Sequence, residues 1–154
     1  MTDRTRITID VARREDIPAL VVLLQQLFSI EQDFSPTPEK QRHGLEALLA
    51  QPQAAHVAVA RAADGAVLGM ASAQLVISTA EGAPSAWVED VVVADNYRGR
   101  GIGRRLLAAV LAWVHAQGAT RAQLLVDVDN APALVFYDRL GWQATRLCAR
   151  RLSW

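Results

Sequence analysis

Apolar and polar positions along this chain recur with two periods, and the changes of period mark out its elements. Residues Ile7 to Val11 (ITIDV) alternate and predict a first strand. Ile17, Leu20, Val21, Leu24, Leu27 and Phe28 then fall on one helical face. Asp16 stands at the cap of that helix and Pro18 in its first turn, where proline is tolerated. The SPTP stretch, Ser35 to Pro38, interrupts the chain. Thr37 and Pro38 open a second helix that runs to about Ala50 and stops at Gln51-Pro52. HVAVAR and AVLGMASAQLVI flank Ala63-Asp64-Gly65, a hairpin signal because glycine accepts the positive φ such turns need.

A polar loop from Glu81 to Ser85 leads into AWVEDVVVA, a buried strand. The stretch YRGRGIGRRLL, from Tyr97 to Leu107, follows it. A long helix comes next, with Ile102, Leu106, Leu107, Val110, Leu111 and Val114 on one face and Gly118 at its end. AQLLVDV predicts another strand. Asn130 caps a short helix, APALVFYDRL, that Gly141 ends, and WQATRLCARRLSW predicts a final strand. The strand–loop–helix–strand unit from Ala86 to Val128 implies a right-handed crossover between parallel strands, while the earlier strands read as antiparallel. The expectation is one α/β domain over residues 1–154, with a mixed sheet and helices on both faces. No internal repeat, low-complexity tract or linker interrupts it.

Composition narrows the function. Sixteen basic and sixteen acidic residues cancel, so the general basic excess of a nucleic-acid-binding protein is missing. Cys148 is the single cysteine, which excludes an internal disulfide and points to a reducing compartment. The MTDRTRITID start has no apolar signal core, and no apolar run approaches the ~20 residues of a membrane helix. The expected location is the cytoplasm, without a membrane partner. His43, His56 and His115 are scattered with no ligand spacing, so no metal is expected.

The arginines of YRGRGIGRRLL admit three readings: a disordered RNA-binding segment, a dinucleotide fingerprint, or a cradle for another phosphate-bearing ligand. The flanking Val-rich strand and amphipathic helix argue against disorder. Gly99, Gly101 and Gly103 are spaced by two, unlike G-x-G-x-x-G, and no Lys-Ser/Thr pair completes a Walker loop. The cradle remains. Glycines let backbone N–H groups converge on an anion, and the helix beginning near Gly101 adds its own unpaired N–H groups. Arg98, Arg100 and Arg104 add charge at the rim.

Arg98, Gly101 and Gly103 match the Gln/Arg-x-x-Gly-x-Gly/Ala signature of the GNAT superfamily of acyl-CoA-dependent N-acyltransferases, which this chain resembles over most of its length. Asn130, Ala133, Phe136, Tyr137, Leu140 and Gly141 fit the family's later motif, with Trp142 where Phe is usual. Ala94-Asp95-Asn96 departs from the family, many of whose members have a proline there. The element order also corresponds: strand, two helices, three strands, helix, strand, helix, strand. The resemblance implies acetyl-CoA as co-substrate. Its pyrophosphate would lie on the N–H groups of Arg98, Gly99, Arg100, Gly101, Ile102, Gly103 and Arg104. Its pantetheine arm would lie along Val91, Val92 and Val93, with Asn130 and Tyr137 also in contact. An N–H near Val91 or Val92 would serve the oxyanion.

The implied reaction is direct acetyl transfer to a primary amine in a ternary complex, which needs a base and a group facing the leaving sulfur. Tyr137 takes the second place by the resemblance. Glu89 is the candidate base, since WVEDVVV resembles a segment of polyamine-type members in which the Glu serves so; a half-buried structural carboxylate is the competing reading. Strand alternation puts Asp90 on the opposite face from Glu89, which would prevent the two from sharing a proton. Glu31 and Asp33 could attract a cationic amine. The amine, expected to be a small molecule, stays open. A peptide or protein amine, or a non-catalytic acyl-CoA sensor, are the alternatives. The last strand could pair across a homodimer interface.

Overall fold

Alternation along the second strand sorts the core into two layers. Val57 and Val59 point to one side and pack with Leu20, Leu24 and Leu45. Ala58 and Ala60 point to the other and pack with Leu106, Leu107 and Val110. The computed structural model describes residues 6–31 and 33–154. Five strands, β1 (Ile7–Val11), β2 (Ala55–Ala62), β3 (Val67–Ser78), β4 (Ala83–Val93) and β5 (Ala122–Leu124), lie side by side in that order. The first three junctions are antiparallel, and β4–β5 is parallel. Helices α1 (Ile17–Ile30) and α2 (Pro38–Leu49) cover one face, and α3 (Ile102–Ala116) and α4 (Ala131–Arg139) the other. No described helix is long and apolar enough to cross a membrane.

The face under α3 is built from small residues: Ala58, Ala60, Ala71, Ala73 and Ala86 are all buried there. Small side chains let the helix settle close to the sheet. Gly69 takes this furthest, since a Cβ added there would stand 2.9 Å from the Val92 carbonyl oxygen and 3.0 Å from Leu106 Cδ1. Leu20 and Leu106 are both fully enclosed, and each such burial stabilises the fold by about 2 kcal/mol.

Two features of β4 decide the site. Ser72 of β3 pairs with Glu89, but Met70 pairs with Val92, so Ala71 alone opposes Asp90 and Val91. This is a β-bulge, and Asp90 sits in it with φ 54°, in the left-handed region. The bulge inverts the strand's parity. Ala86 and Val88 face α3 before it, but Val91 and Val93 face α3 after it, and Val92 faces α1. In addition, pairing with β5 ends at Val88↔Leu124. Beyond that point the two parallel strands separate, leaving an opening beside β4.

Four expectations change. The AQLLVDV segment forms a strand only over Ala122–Leu124. Asp16 does not cap α1 with its side chain. It is 5% exposed and takes a bidentate pair of 2.9 Å hydrogen bonds from the Arg61 guanidinium, plus one of 2.8 Å from the Arg13 N–H. The expected loop over Glu81–Ser85 is shorter, because β3 extends to Ser78 and β4 already starts at Ala83. The final strand does not form: residues 143–154 have no ladder partner in this chain, and Leu147 and Leu152 are 84% and 77% exposed. A strand exists only through its pairing, and none of these residues pairs with the free outer edge of the three-residue β5.

Candidate active site

The opening beside β4 is the meeting point of two cavities. One, of about 510 Å³, lies between α1, α2 and the near face of β4. The other, of about 680 Å³, lies between β4, the loop before α3, and α4. Glu31, Glu89 and Asp90 line both. The inverted parity of β4 explains this. Glu89 lies opposite Val88 and faces α1, and the bulge turns Asp90 to the same side. The expected placement of Asp90 on the far face is therefore wrong, because alternation holds only for an unbroken strand.

Burial and the neighbouring Glu89 and Glu31 charges push the Asp90 carboxyl up to about 7, against a smaller opposing effect of the Ser72 hydroxyl. That hydroxyl also donates to the Glu89 carbonyl oxygen at 3.1 Å, tying β3 to the bulge. Glu31 is likewise raised, by burial first and then by Asp127, Asp33 and Glu89. Asp33 lines neither cavity. It pairs with Arg151 at 3.6 Å, and the same guanidinium lies 4.9 Å from the Phe34 ring centroid.

Around the second cavity, the loop from Arg98 to Arg104 passes into α3 through Gly101, whose φ of 74° makes it a left-handed N-cap. Gly99 adopts the same sign, with φ 73°. An L-residue pays about 1–2 kcal/mol for that conformation, so glycine is the economical choice at both. Arg98, Gly99, Gly101, Ile102, Gly103 and Arg104 line the cavity, as do Val91, Val92 and Val93. The Ile102 side chain is buried in the core, leaving its backbone for any ligand. Arg100 stands apart, with its guanidinium 5.0 Å from the Tyr97 ring centroid and a 3.3 Å bond to the Asn96 carbonyl. Arg98 pairs with Asp95 at 3.2 Å and also donates to the Val93 carbonyl at 3.3 Å. Gln26 donates to that same carbonyl at 3.0 Å. Both lone pairs of this oxygen are thus engaged, which leaves Val91 and Val92 the freer backbone for a bound chain.

Asn130 caps α4, accepting from the Ala133 N–H at 3.2 Å, and its side-chain NH₂ stays available on the cavity wall. Tyr137 lines the cavity from α4, held edge-on between Phe136 at 5.1 Å and Trp142 at 5.9 Å. Burial, with a contribution from Glu31, pushes its phenol up to about 12. It is therefore a hydrogen-bond donor at all physiological pH values. Cys148 is exposed and lines neither cavity, and no group of three or more candidate metal ligands occurs among the described residues.

The residues that sequence reasoning missed are Asp90 as a site group, and Phe28, Phe34 and Trp87 as cavity walls. One signal was present for Asp90. Aspartate in a valine-rich strand is out of place, and it tolerates left-handed backbone better than most residues. The aromatic walls carry no such mark, because Phe28 fits the core face of its helix equally well.

The geometry agrees with comparisons to known proteins. Residues 24–142 match the family model described as the acetyltransferase (GNAT) family. An aminoglycoside N(6')-acetyltransferase type 1 of Serratia marcescens is 30% identical over 115 residues, covering 72% of this chain and 77% of that protein. A mycothiol acetyltransferase of Corynebacterium aurimucosum is 46% identical over 52 residues, 34% of this chain and 17% of that much longer protein. Among solved structures, AAC(6')-Iy in complex with a CoA-S-monomethyl-acetylneamine bisubstrate analogue superposes with a TM-score of 0.78 at 21% identity, covering 97% and 99% of the two chains.

Proposed function

Because the chain belongs to the acetyltransferase (GNAT) family, we propose that its paired cavities carry out acetyl transfer from acetyl-CoA to a primary amine of a small molecule. One observation carries this reading. The two cavities meet at Glu31, Glu89 and Asp90, and Tyr137 lines the second of them.

The residues of the second cavity suit acetyl-CoA. The opening beyond Val88 leaves β4 backbone unpaired by β5, so an amide-bearing arm can add there as a strand would. The left-handed glycines and the start of α3 supply convergent N–H groups for a pyrophosphate, with Arg104 at the rim. Acetyl-CoA, when bound, supplies an acetyl thioester. Everything else falls to the protein.

The incoming amine arrives as an ammonium and must lose a proton. Moving a proton from an ammonium of pKa ~10.4 to an ordinary aspartate of ~3.9 is uphill by roughly 9 kcal/mol. Moving it to a carboxylate at about 7, as Asp90 has, is uphill by roughly 5 kcal/mol. Asp90 is thus the better base, while Glu89 and Glu31 hold the cation in place. Tyr137, at about 12, is too weak an acid to protonate a thiolate of ~8.5 outright, a step uphill by roughly 5 kcal/mol. It acts by donating a hydrogen bond to the sulfur. The walls of both cavities lack cysteine and serine, which favours direct transfer over an acyl-enzyme.

The test is to follow thiol release from acetyl-CoA with a panel of primary amines, beside calorimetric titration of CoA. Tight CoA binding with amine-dependent release supports the reading. Binding without release for any amine would sink it and favour a sensor.

A further inference from the structure

The first cavity has a composition that says what kind of amine fits. Its walls away from β4 combine Leu24, Leu45 and Leu48 with the rings of Phe28 and Phe34, and Trp87 adds a third ring from β4 itself. Phe28 and Phe34 lean on each other, centroids 5.5 Å apart. The Arg151 guanidinium backs Phe34 at 4.9 Å and so fixes that ring at the rim. The carboxyls that line this cavity, Glu31, Glu89 and Asp90, are the same three that border the second cavity. The remaining polar side chains are the neutral amides of Gln41, Gln51 and Gln74 and the cation Lys40. Asp33, close in sequence, is matched by Arg151.

This distribution of charge is one-ended. A single ammonium finds three carboxyls where the cavities join. A second ammonium on the same molecule would have to lie against hydrocarbon and rings, where desolvating a charge is costly, or near Lys40, which repels it. We infer that the acceptor is a monoamine with an apolar, preferably aromatic, body, its amino group at Glu31, Glu89 and Asp90 and its body against Trp87, Phe28 and Phe34. The inference rests on the acetyl-transfer reading and narrows it. It separates this chain from acceptors with many ammonium groups, polyamines and amino sugars alike. A volume of about 510 Å³ is within the usual range for small-molecule sites.

The experiment compares kcat/KM for phenethylamine, ethylamine, spermidine and kanamycin with saturating acetyl-CoA, by thiol release. Phenethylamine is expected to exceed each of the others by at least about tenfold, the yield of burying one ring. Trp87→Ala should cut the phenethylamine-to-ethylamine ratio by about tenfold. Lys40→Glu, at an exposed position, should raise the spermidine-to-phenethylamine ratio several-fold even if Trp87→Ala folds poorly. Spermidine or kanamycin turned over as well as phenethylamine would overturn the substrate class while leaving acetyl transfer intact. Ratios unmoved by Lys40→Glu in a folded protein would also count against it. No thiol release with any of the four, despite CoA binding, would overturn the acetyl-transfer reading itself.

Discussion

Glu89 and Asp90 are neighbours in one strand, yet both line the same two cavities. The positive φ at Asp90 and the slipped register opposite Ala71 make this possible. The bulge brings two carboxyls to one place, and burial, with the repulsion of Glu89 and Glu31 added to it, lifts Asp90 to about 7.

Asp90 should therefore set the lower limb of the pH–rate profile. It accepts a proton only when ionised, so kcat/KM should rise with pH through about 7. Asp90→Asn, which keeps a residue suited to left-handed backbone, should lower kcat/KM about a hundredfold or more and remove that limb. Glu89→Gln should lower the pH of the limb, because it removes a like charge. Initial rates across neutral pH check both. A raised folded-state pKa costs stability as pH climbs from the unfolded value of ~4 to about 7, so Asp90→Asn should also raise Tm at neutral and alkaline pH and leave it unchanged below about pH 4.

Tyr137→Phe should reduce kcat by roughly a hundred- to a thousandfold, the range for one lost donor to a developing charge. CoA affinity should change little. The profile should show no ionisation from Tyr137 below about pH 10, since its phenol is held at about 12. Steady-state kinetics with a CoA titration separates these effects.

Gly101→Ala should weaken CoA binding by about tenfold. No atom lies within 4 Å of the added Cβ, so the cost comes from backbone strain of about 1–2 kcal/mol at φ 74°. Arg105→Ala should leave affinity unchanged, because its guanidinium reaches away to the Ile7 carbonyl at 2.8 Å. Calorimetric titration of both variants gives the ranking.

Asp16→Ala should destabilise the protein by about 2 kcal/mol, since it removes the bidentate partner of Arg61, whose guanidinium then keeps only Asp10 at 3.3 Å and the Gly65 carbonyl at 3.3 Å. The hydrogen bonds from Arg61 hold the Asp16 carboxyl below its usual range, burial opposing them. A depressed carboxylate stabilises above its unfolded value near 4, and that stability is lost as pH falls through the lower folded value. Urea melts of wild type should lose stability below about pH 4, and the variant should lose less. Neither residue lines a cavity, so rates at low temperature should hold.

Much of the fold was legible because it rests on local rules. The helical face from Ile17 to Phe28, the Ala63-Asp64-Gly65 turn and the Asn130 cap are each specified by neighbours in the chain. The glycine spacing that makes the loop before α3 was legible for the same reason. Asp16 misled because a capping residue and a buried ion-pair residue are the same residue type; Arg61, 45 positions away, decided between them. The last strand misled because alternation describes a strand's faces and says nothing of its partner.

By itself, then, the sequence determined the helices, the first four strands, the placing of helices on both sheet faces and the glycine loop, all of which depend on spacing along the chain. Only the tertiary structure decided where β4 bulges, which way Asp90 points, and how Phe28, Phe34 and Trp87 meet around one cavity. A bulge is a mismatch between two strands, so it belongs to the pair and is written in neither strand alone. The chemistry placed at that mismatch is a property of the assembled sheet.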